Sequence, residues 1–234
     1  MPSVLSKDLD ALRTTLGDLP PTGDKGFEGL IQGVLEEIVG IPFRLAASGS
    51  QYGIDGSATG DIESIGFECK LYKDEVPKNA LLSKLAEISI QPEIELWVLC
   101  ATCSVSSQRE KLMRKVAEET GFETLVLDWS VVSMPLLATA LALAPIAVKN
   151  FLKRAKLTAA KEKAVEKVLE DIKSDSRFTI AVKHLNEMLA PASIGVAAAH
   201  RANERWLKDT FGSYSVDFHG KLTQGFHPIL SHPI

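Results

Sequence analysis

Cysteine is scarce in this 234-residue chain: three residues, Cys69, Cys100 and Cys103. So few exclude a disulfide framework. With no signal-peptide pattern at the start, the expectation is a reducing, cytoplasmic setting. Cys100-Ala101-Thr102-Cys103 has the spacing of a redox or zinc pair. No second pair completes a four-ligand zinc site, and the first cysteine falls at a strand end, not at a helix N-terminus that would activate a redox thiol. Both are expected to be structural. The five histidines all lie in the C-terminal half without metal-ligand spacing. Neither a Walker A loop nor a dinucleotide fingerprint is present, which excludes a nucleotide-hydrolysing engine within these residues. Internal repeats and low-complexity tracts are also lacking. One stretch lacks charge altogether, residues 131–148, but Pro135, Pro145 and five alanines make it only weakly apolar. A buried helix covering a sheet accounts for it better than a membrane span.

What charge there is lies unevenly. Residues 1–130 carry 12 Lys+Arg against 21 Asp+Glu, and residues 131–234 carry 14 against 9, for a net charge of −4. The acidic half argues against non-specific coating of nucleic acid and suits a site that needs a cation before a phosphate enters. The basic half is placed to help hold a polyanion.

Along the chain, Leu5, Leu9, Leu12 and Leu16 mark a short amphipathic helix, and Pro20-Pro21 breaks it. A second helix begins near Gly26, with Phe27, Leu30, Ile31, Val34, Leu35 and Ile38 as its stripe and Gly40 as its stop. Glu28 stands out, because Ile31 and Leu35 are its helical neighbours and it turns toward the apolar side. Its alternative role is that of a first-turn carboxylate favoured by the helix dipole. Strands are expected over Phe43–Ala47, Ile54–Thr59, Ile65–Tyr72, Ile94–Ala101 and Phe122–Leu127, with helices over Ala80–Ile90 and Ser106–Thr120. Late strands alternating with helices predict an α/β fold, with a mixed sheet, partly parallel, flanked by helices. Charged helical sequence over 149–190 and a further helix over 193–211 form a C-terminal helical extension, and 212–234 is a linker or tail. The division expected is thus 1–20, 21–148, 149–211 and 212–234.

The chain is organised around Gly53-Ile54-Asp55-Gly56 and, thirteen residues after Asp55, Glu68-Cys69-Lys70. Strand alternation puts Glu68, Lys70 and Tyr72 on one face and Phe67, Cys69 and Leu71 on the other. If the Asp55 segment pairs with the Glu68 strand through a turn at Thr59-Gly60-Asp61, two carboxylates and an ammonium meet at one spot. Two hard oxygen donors suit Mg²⁺, which keeps several waters and takes only one or two carboxylates. An adjacent lysine can orient a water and offset phosphoryl charge. The plainer alternative is an exposed ion pair between Glu68 and Lys70, worth little and silent about Asp55 and Glu28.

Phe27-Glu28 on a helix, Gly53-Ile54-Asp55-Gly56 on one strand and Phe67-Glu68-Cys69-Lys70 on the next resemble the PD-(D/E)xK restriction-endonuclease-like superfamily, and its Mrr-like branch most. The likeness spans residues 20 to 145 and extends to the strand ending in Asp128. It departs in having Ile54 where the pattern carries proline. The resemblance implies a restriction-endonuclease-like fold. It also implies that Asp55, Glu68 and the Cys69 carbonyl hold Mg²⁺ or Mn²⁺, that Lys70 handles the attacking water, and that Glu28 takes a second metal or a water, with Gln51 assisting. Further implied are double-stranded DNA as substrate, a homo-oligomer, a role as effector of a prokaryotic antiphage defence or restriction protein, and a sensor or ATPase module joined through the C-terminal region. The alternative is a non-catalytic DNA-binding or oligomerising scaffold that keeps the fold.

Overall fold

The computed structural model describes residues 4–46, 53–59, 65–91, 93–130 and 134–189. Gln51, Gly60, Asp61, the helix expected over 193–211 and the 212–234 tail lie outside them.

The leucine spacing near the start makes α1, Val4–Gly17. Next comes α2, Phe27–Val39, whose Phe27, Leu30, Ile31, Val34 and Leu35 are buried as the stripe requires. The short strands β1 (Phe43–Leu45) and β2 (Gly56–Ala58) precede β3, Ile65–Lys70. Then α3 (Lys78–Ile88), β4 (Leu96–Ala101), α4 (Ser107–Thr120) and β5 (Glu123–Leu127) alternate. The sheet order is β1-β2-β3-β4-β5. β1, β2 and β3 pair antiparallel, and β3, β4 and β5 pair parallel. The expected mixed α/β sheet is therefore present, and the switch from antiparallel to parallel falls on β3, the strand that carries Glu68 and Lys70.

Both faces of the parallel part are covered, which is why β4 is apolar throughout. One face sends Trp97, Leu99 and Ala101 into a cluster with Leu81, Leu85 and Ile88 of α3 and Met113 and Ala117 of α4. Burying each large side chain of α3 contributes about 1.5–3 kcal/mol, enough to anchor that helix firmly on the sheet. The opposite side is packed by α2, against β1 and β3, and by a further helix against β5.

That further helix corrects one expectation. The uncharged stretch is not a single helix: α5, Leu136–Leu143, ends at Ala144, and α6, Pro145–Arg154, leaves at 89°. Proline at the first position of α6 cannot supply the amide that would continue α5. Glu37 of α2 completes the break, its Oε2 accepting the Ala147 amide at 2.6 Å and its Oε1 the Ile146 amide at 3.4 Å. A carboxylate from another helix thus caps α6 where the N-terminal end of the dipole is positive. Among the described residues no single helix is long and apolar enough to cross a membrane.

Two charged helices close the described chain, α7 (Ala159–Ser174) and α8 (Phe178–Leu189). Thr158 caps α7 by accepting the Lys161 amide at 3.4 Å. Their charge is one-sided: Val165, Val168, Leu169 and Ile172 are buried, α7 lies on α1 and α5, and α8 on α5. Met1–Ala190 is one compact unit. The divisions drawn at 20/21 and 148/149 thus fall inside one packed body, the second of them within α6.

Candidate active site

Asp55 is placed by the two glycines that bracket its tetrapeptide. Gly53 has φ +83°, in the left-handed region, and a Cβ there would lie 2.8 Å from the Lys84 carbonyl oxygen and 3.0 Å from the Ile88 nitrogen. A side chain would be strained by conformation and excluded by α3 at once. The Trp97 indole donates to the Gly53 carbonyl at 3.1 Å and fixes the turn from beneath. At Gly56 a Cβ would meet the Phe67 ring at 2.5 Å, so glycine lets β2 close on β3. Between them, the Asp55 amide donates to the Phe67 carbonyl at 2.7 Å, and its carbonyl accepts from the Ala46 amide at 2.8 Å. The segment is held from both sides although the strand begins only at Gly56.

On β3 the alternation operates as expected. Glu68 stands in register with Leu99, and Lys70 with Ala101, so both point to the face covered by α3. Asp55, Glu28 of α2, Lys84 of α3, Cys69 and Tyr72 line the same open cleft as Glu68 and Lys70, a space of about 390 Å³. By contrast, the gap enclosed by Leu12, Leu16, Leu30, Leu141 and Phe151 is about 10 Å³, too small for any ligand.

Each carboxylate has a defined partner. Asp55 Oδ2 accepts the Cys69 amide at 2.7 Å. Glu28 Oε2 accepts the Gly23 amide at 2.9 Å, so this first-turn residue is both buried and turned into the cleft. Glu68 Oε1 is in direct contact with the Lys70 ammonium and lies 3.8 Å from that of Lys84. Glu68 Oε2 is buried and, among the described residues, has no hydrogen-bond partner. A carboxylate oxygen in that state costs free energy until something with positive character reaches it.

The electrostatics follow. Burial, then the neighbouring charge of Asp55, push Glu68 up to about 7, against the opposing pull of Lys70 and Lys84. Burial also raises Asp55, with the Cys69 amide and both lysines pulling the other way. Glu28 is raised by burial, offset in part by the Gly23 amide. Burial works against the charge of Lys70, but Glu68 and Asp55 outweigh it and hold its pKa above the ordinary value. Asp55 and Glu68 interact directly, and their environments differ, so the pair separates into a more acidic and a less acidic member.

Among the described residues no group of three or more His, Cys, Asp or Glu side chains is set to hold a metal ion. The donor set nevertheless fits a hard divalent cation. Two adjacent carboxylates, one with an orphaned buried oxygen, match the one or two that Mg²⁺ takes while keeping its waters.

Glu28, Asp55, Glu68, Cys69 and Lys70 are therefore brought together. Asp128 is not among them. Its Oδ2 accepts the Val105 amide at 2.8 Å and its Oδ1 the Ser130 amide at 3.2 Å, a structural clasp at the end of β5. Cys100 and Cys103 are buried free thiols, as expected of structural cysteines. Lys84 reads in the sequence only as part of a loosely basic stretch, but it lines the cleft. The available signal is its place between Leu81, Leu85 and Ile88, one step off the buried stripe of α3.

A search of protein-family models and of curated proteins finds no match to this chain.

Proposed function

We propose that this chain is a divalent-cation-dependent endonuclease that hydrolyses phosphodiester bonds of double-stranded DNA, with the residues of the PD-(D/E)xK pattern as its working set. One observation carries the reading: Glu68, on the lining of an open cleft beside Asp55 and Lys70, has a buried carboxylate oxygen with no hydrogen-bond partner among the described residues. An ion pair kept only for stability has no use for such an oxygen.

Asp55, Glu68 and the Cys69 carbonyl would hold Mg²⁺ or Mn²⁺, which supplies charge stabilisation for the phosphoryl group. The Cys69 amide keeps Asp55 aimed into the cleft. Lys70, fully charged in the working range, donates to the attacking water and offsets charge that grows on the phosphoryl oxygens. Glu28, from α2 on the same cleft, would accept from a second water or take a second cation. The wider setting proposed is an effector of prokaryotic antiphage defence or restriction in the cytoplasm, acting as a homo-oligomer. In it the C-terminal helices and the 212–234 tail join the nuclease to a sensor or ATPase module.

The scaffold alternative has one observation in its favour, that Glu68 is closed on Lys70 and no cage of three metal-ligating side chains is found among the described residues. Plasmid and linear duplex DNA incubated with Mg²⁺, Mn²⁺ or EDTA, beside Lys70→Ala, separate the two. Cation-dependent cutting that vanishes in the variant supports the nuclease. Cutting that survives the variant refutes this site. A chain that cuts nothing and shows no Mn²⁺ binding dependent on Asp55 is the scaffold.

A further inference from the structure

Lys84 enters the cleft from a different wall than Lys70. It projects from α3, its Nζ is 3.1 Å from Glu87 Oε2 one helical turn on, and the 3.8 Å to Glu68 Oε1 is an ion-pair distance rather than a hydrogen bond. An ammonium has three donors. Glu87 engages one, and Glu68 consumes none, which leaves two donors of a cleft-lining ammonium without a hydrogen-bond partner among the described residues. Lys70, by contrast, touches Glu68 directly.

Counting charges separates the two lysines. Among the residues that line the cleft, Glu28, Asp55 and Glu68 oppose Lys70 and Lys84, so with all five ionised the lining is one positive charge short; Glu87 lies outside the lining and pairs its charge with Lys84. A divalent cation turns that deficit into a surplus of one, which matches a phosphodiester monoanion. Without Lys84 the loaded cleft is only neutral, and one phosphate contact is lost. Position is also controlled, because the Lys84 carbonyl is the atom against which Gly53 packs, so the Asp55 turn and the Lys84 segment are held in contact.

Resting on the nuclease reading, we infer that Lys84 is the residue that anchors the scissile strand's phosphate, a binding role distinct from the water-handling role of Lys70, with Glu87 holding its ammonium over the cleft.

The test measures affinity for a fluorescent DNA duplex with hydrolysis-resistant phosphorothioate linkages across a salt series, on the chain with all its cleft carboxylates intact and with Ca²⁺, a hard oxygen-seeking cation of the same charge, in place of Mg²⁺. Lys84→Ala is expected to weaken binding equally for unrelated sequences and to lower the slope of log K against log salt by about 0.9, one phosphate contact. Lys84→Arg keeps slope and affinity. Lys84→Gln, which retains most of the stem, reproduces the loss if Lys84→Ala proves unfolded by its urea midpoint. In cleavage assays with Mg²⁺, Lys84→Ala in the otherwise unaltered chain raises KM about tenfold and leaves kcat within about threefold. An unchanged slope, a fall in kcat alone, or no duplex binding at any salt overturns the inference. Cleavage with an unchanged slope leaves the nuclease reading standing without it. A slope that falls in a chain that neither cleaves nor binds Mn²⁺ through Asp55 leaves Lys84 as a phosphate contact of the scaffold and sinks the nuclease reading.

Discussion

The main-chain amide of Cys69 donates to Oδ2 of Asp55 at 2.7 Å, so the residue between Glu68 and Lys70 aims the carboxylate that faces them. One strand therefore supplies two side chains and also orients a third from its neighbour.

Asp55→Asn tests this arrangement. The amide oxygen of asparagine can still accept from Cys69, so the fold is expected to persist, with a urea midpoint close to the parent's. Removing one of two cation-holding charges should abolish calorimetric Mn²⁺ binding and lower cleavage by about a hundredfold or more. Mn²⁺ bound with unchanged affinity would remove Asp55 from the proposed set.

Glu68 predicts a pH dependence of stability. Its folded pKa of about 7 lies above the 4.5 of an unperturbed glutamate. Between these values the native state binds more protons than the unfolded chain, so stability falls as pH rises through the window and flattens above it. The cost at pH 8 without cation is of order 3 kcal/mol, shared with the coupled Asp55. Glu68→Gln should therefore be more stable than the parent at pH 8, with the gap closing toward pH 4.5, in urea unfolding with EDTA. Equal midpoints at both pH values would mean that Glu68 is better solvated than its surroundings indicate.

Gly53→Ala places a Cβ 2.8 Å from the Lys84 carbonyl at a positive φ. The expected loss is about 1–3 kcal/mol of stability, with a larger proportional loss of cleavage, because Asp55 and Lys84 are displaced together. Unfolding midpoints and specific activity, read side by side, check it. A variant that keeps full activity would show that the turn tolerates displacement.

Glu37→Ala removes the carboxylate that caps α6. A loss of about 0.5–2 kcal/mol is expected. Glu37→Asp, one methylene shorter, should not rescue it, since the cap comes from another helix rather than from its own end. Thermal unfolding followed by circular dichroism measures both.

Much of this was legible in the sequence, for local reasons. The alternation in Phe67-Glu68-Cys69-Lys70 fixes which side chains share a face, and that needs no knowledge of the rest of the chain. The stripe of α2 likewise turns Glu28 inward. The site residue that escaped, Lys84, depends on where α3 lies over β4, a matter of packing between Leu85 and Trp97 that no spacing along the chain records. The break between α5 and α6 was half-visible in Pro145. Its other half is Glu37, more than a hundred residues earlier. The charged face of α7 suggested a solvated extension, and only its contact with α1 places its apolar face in the common core.

The sheet runs in chain order, and the described side chains lining the cleft fall between Pro21 and Lys84. During synthesis these groups leave the ribosome before β4, the strand that buries Glu68 from beside it. In the folded sheet Leu96–Ala101 runs parallel to Ile65–Lys70, so the desolvation of the cleft charges depends on a strand that follows all of them in the chain. The unfavourable electrostatics of the site and the apolar strand able to offset them are thus parts of one pairing.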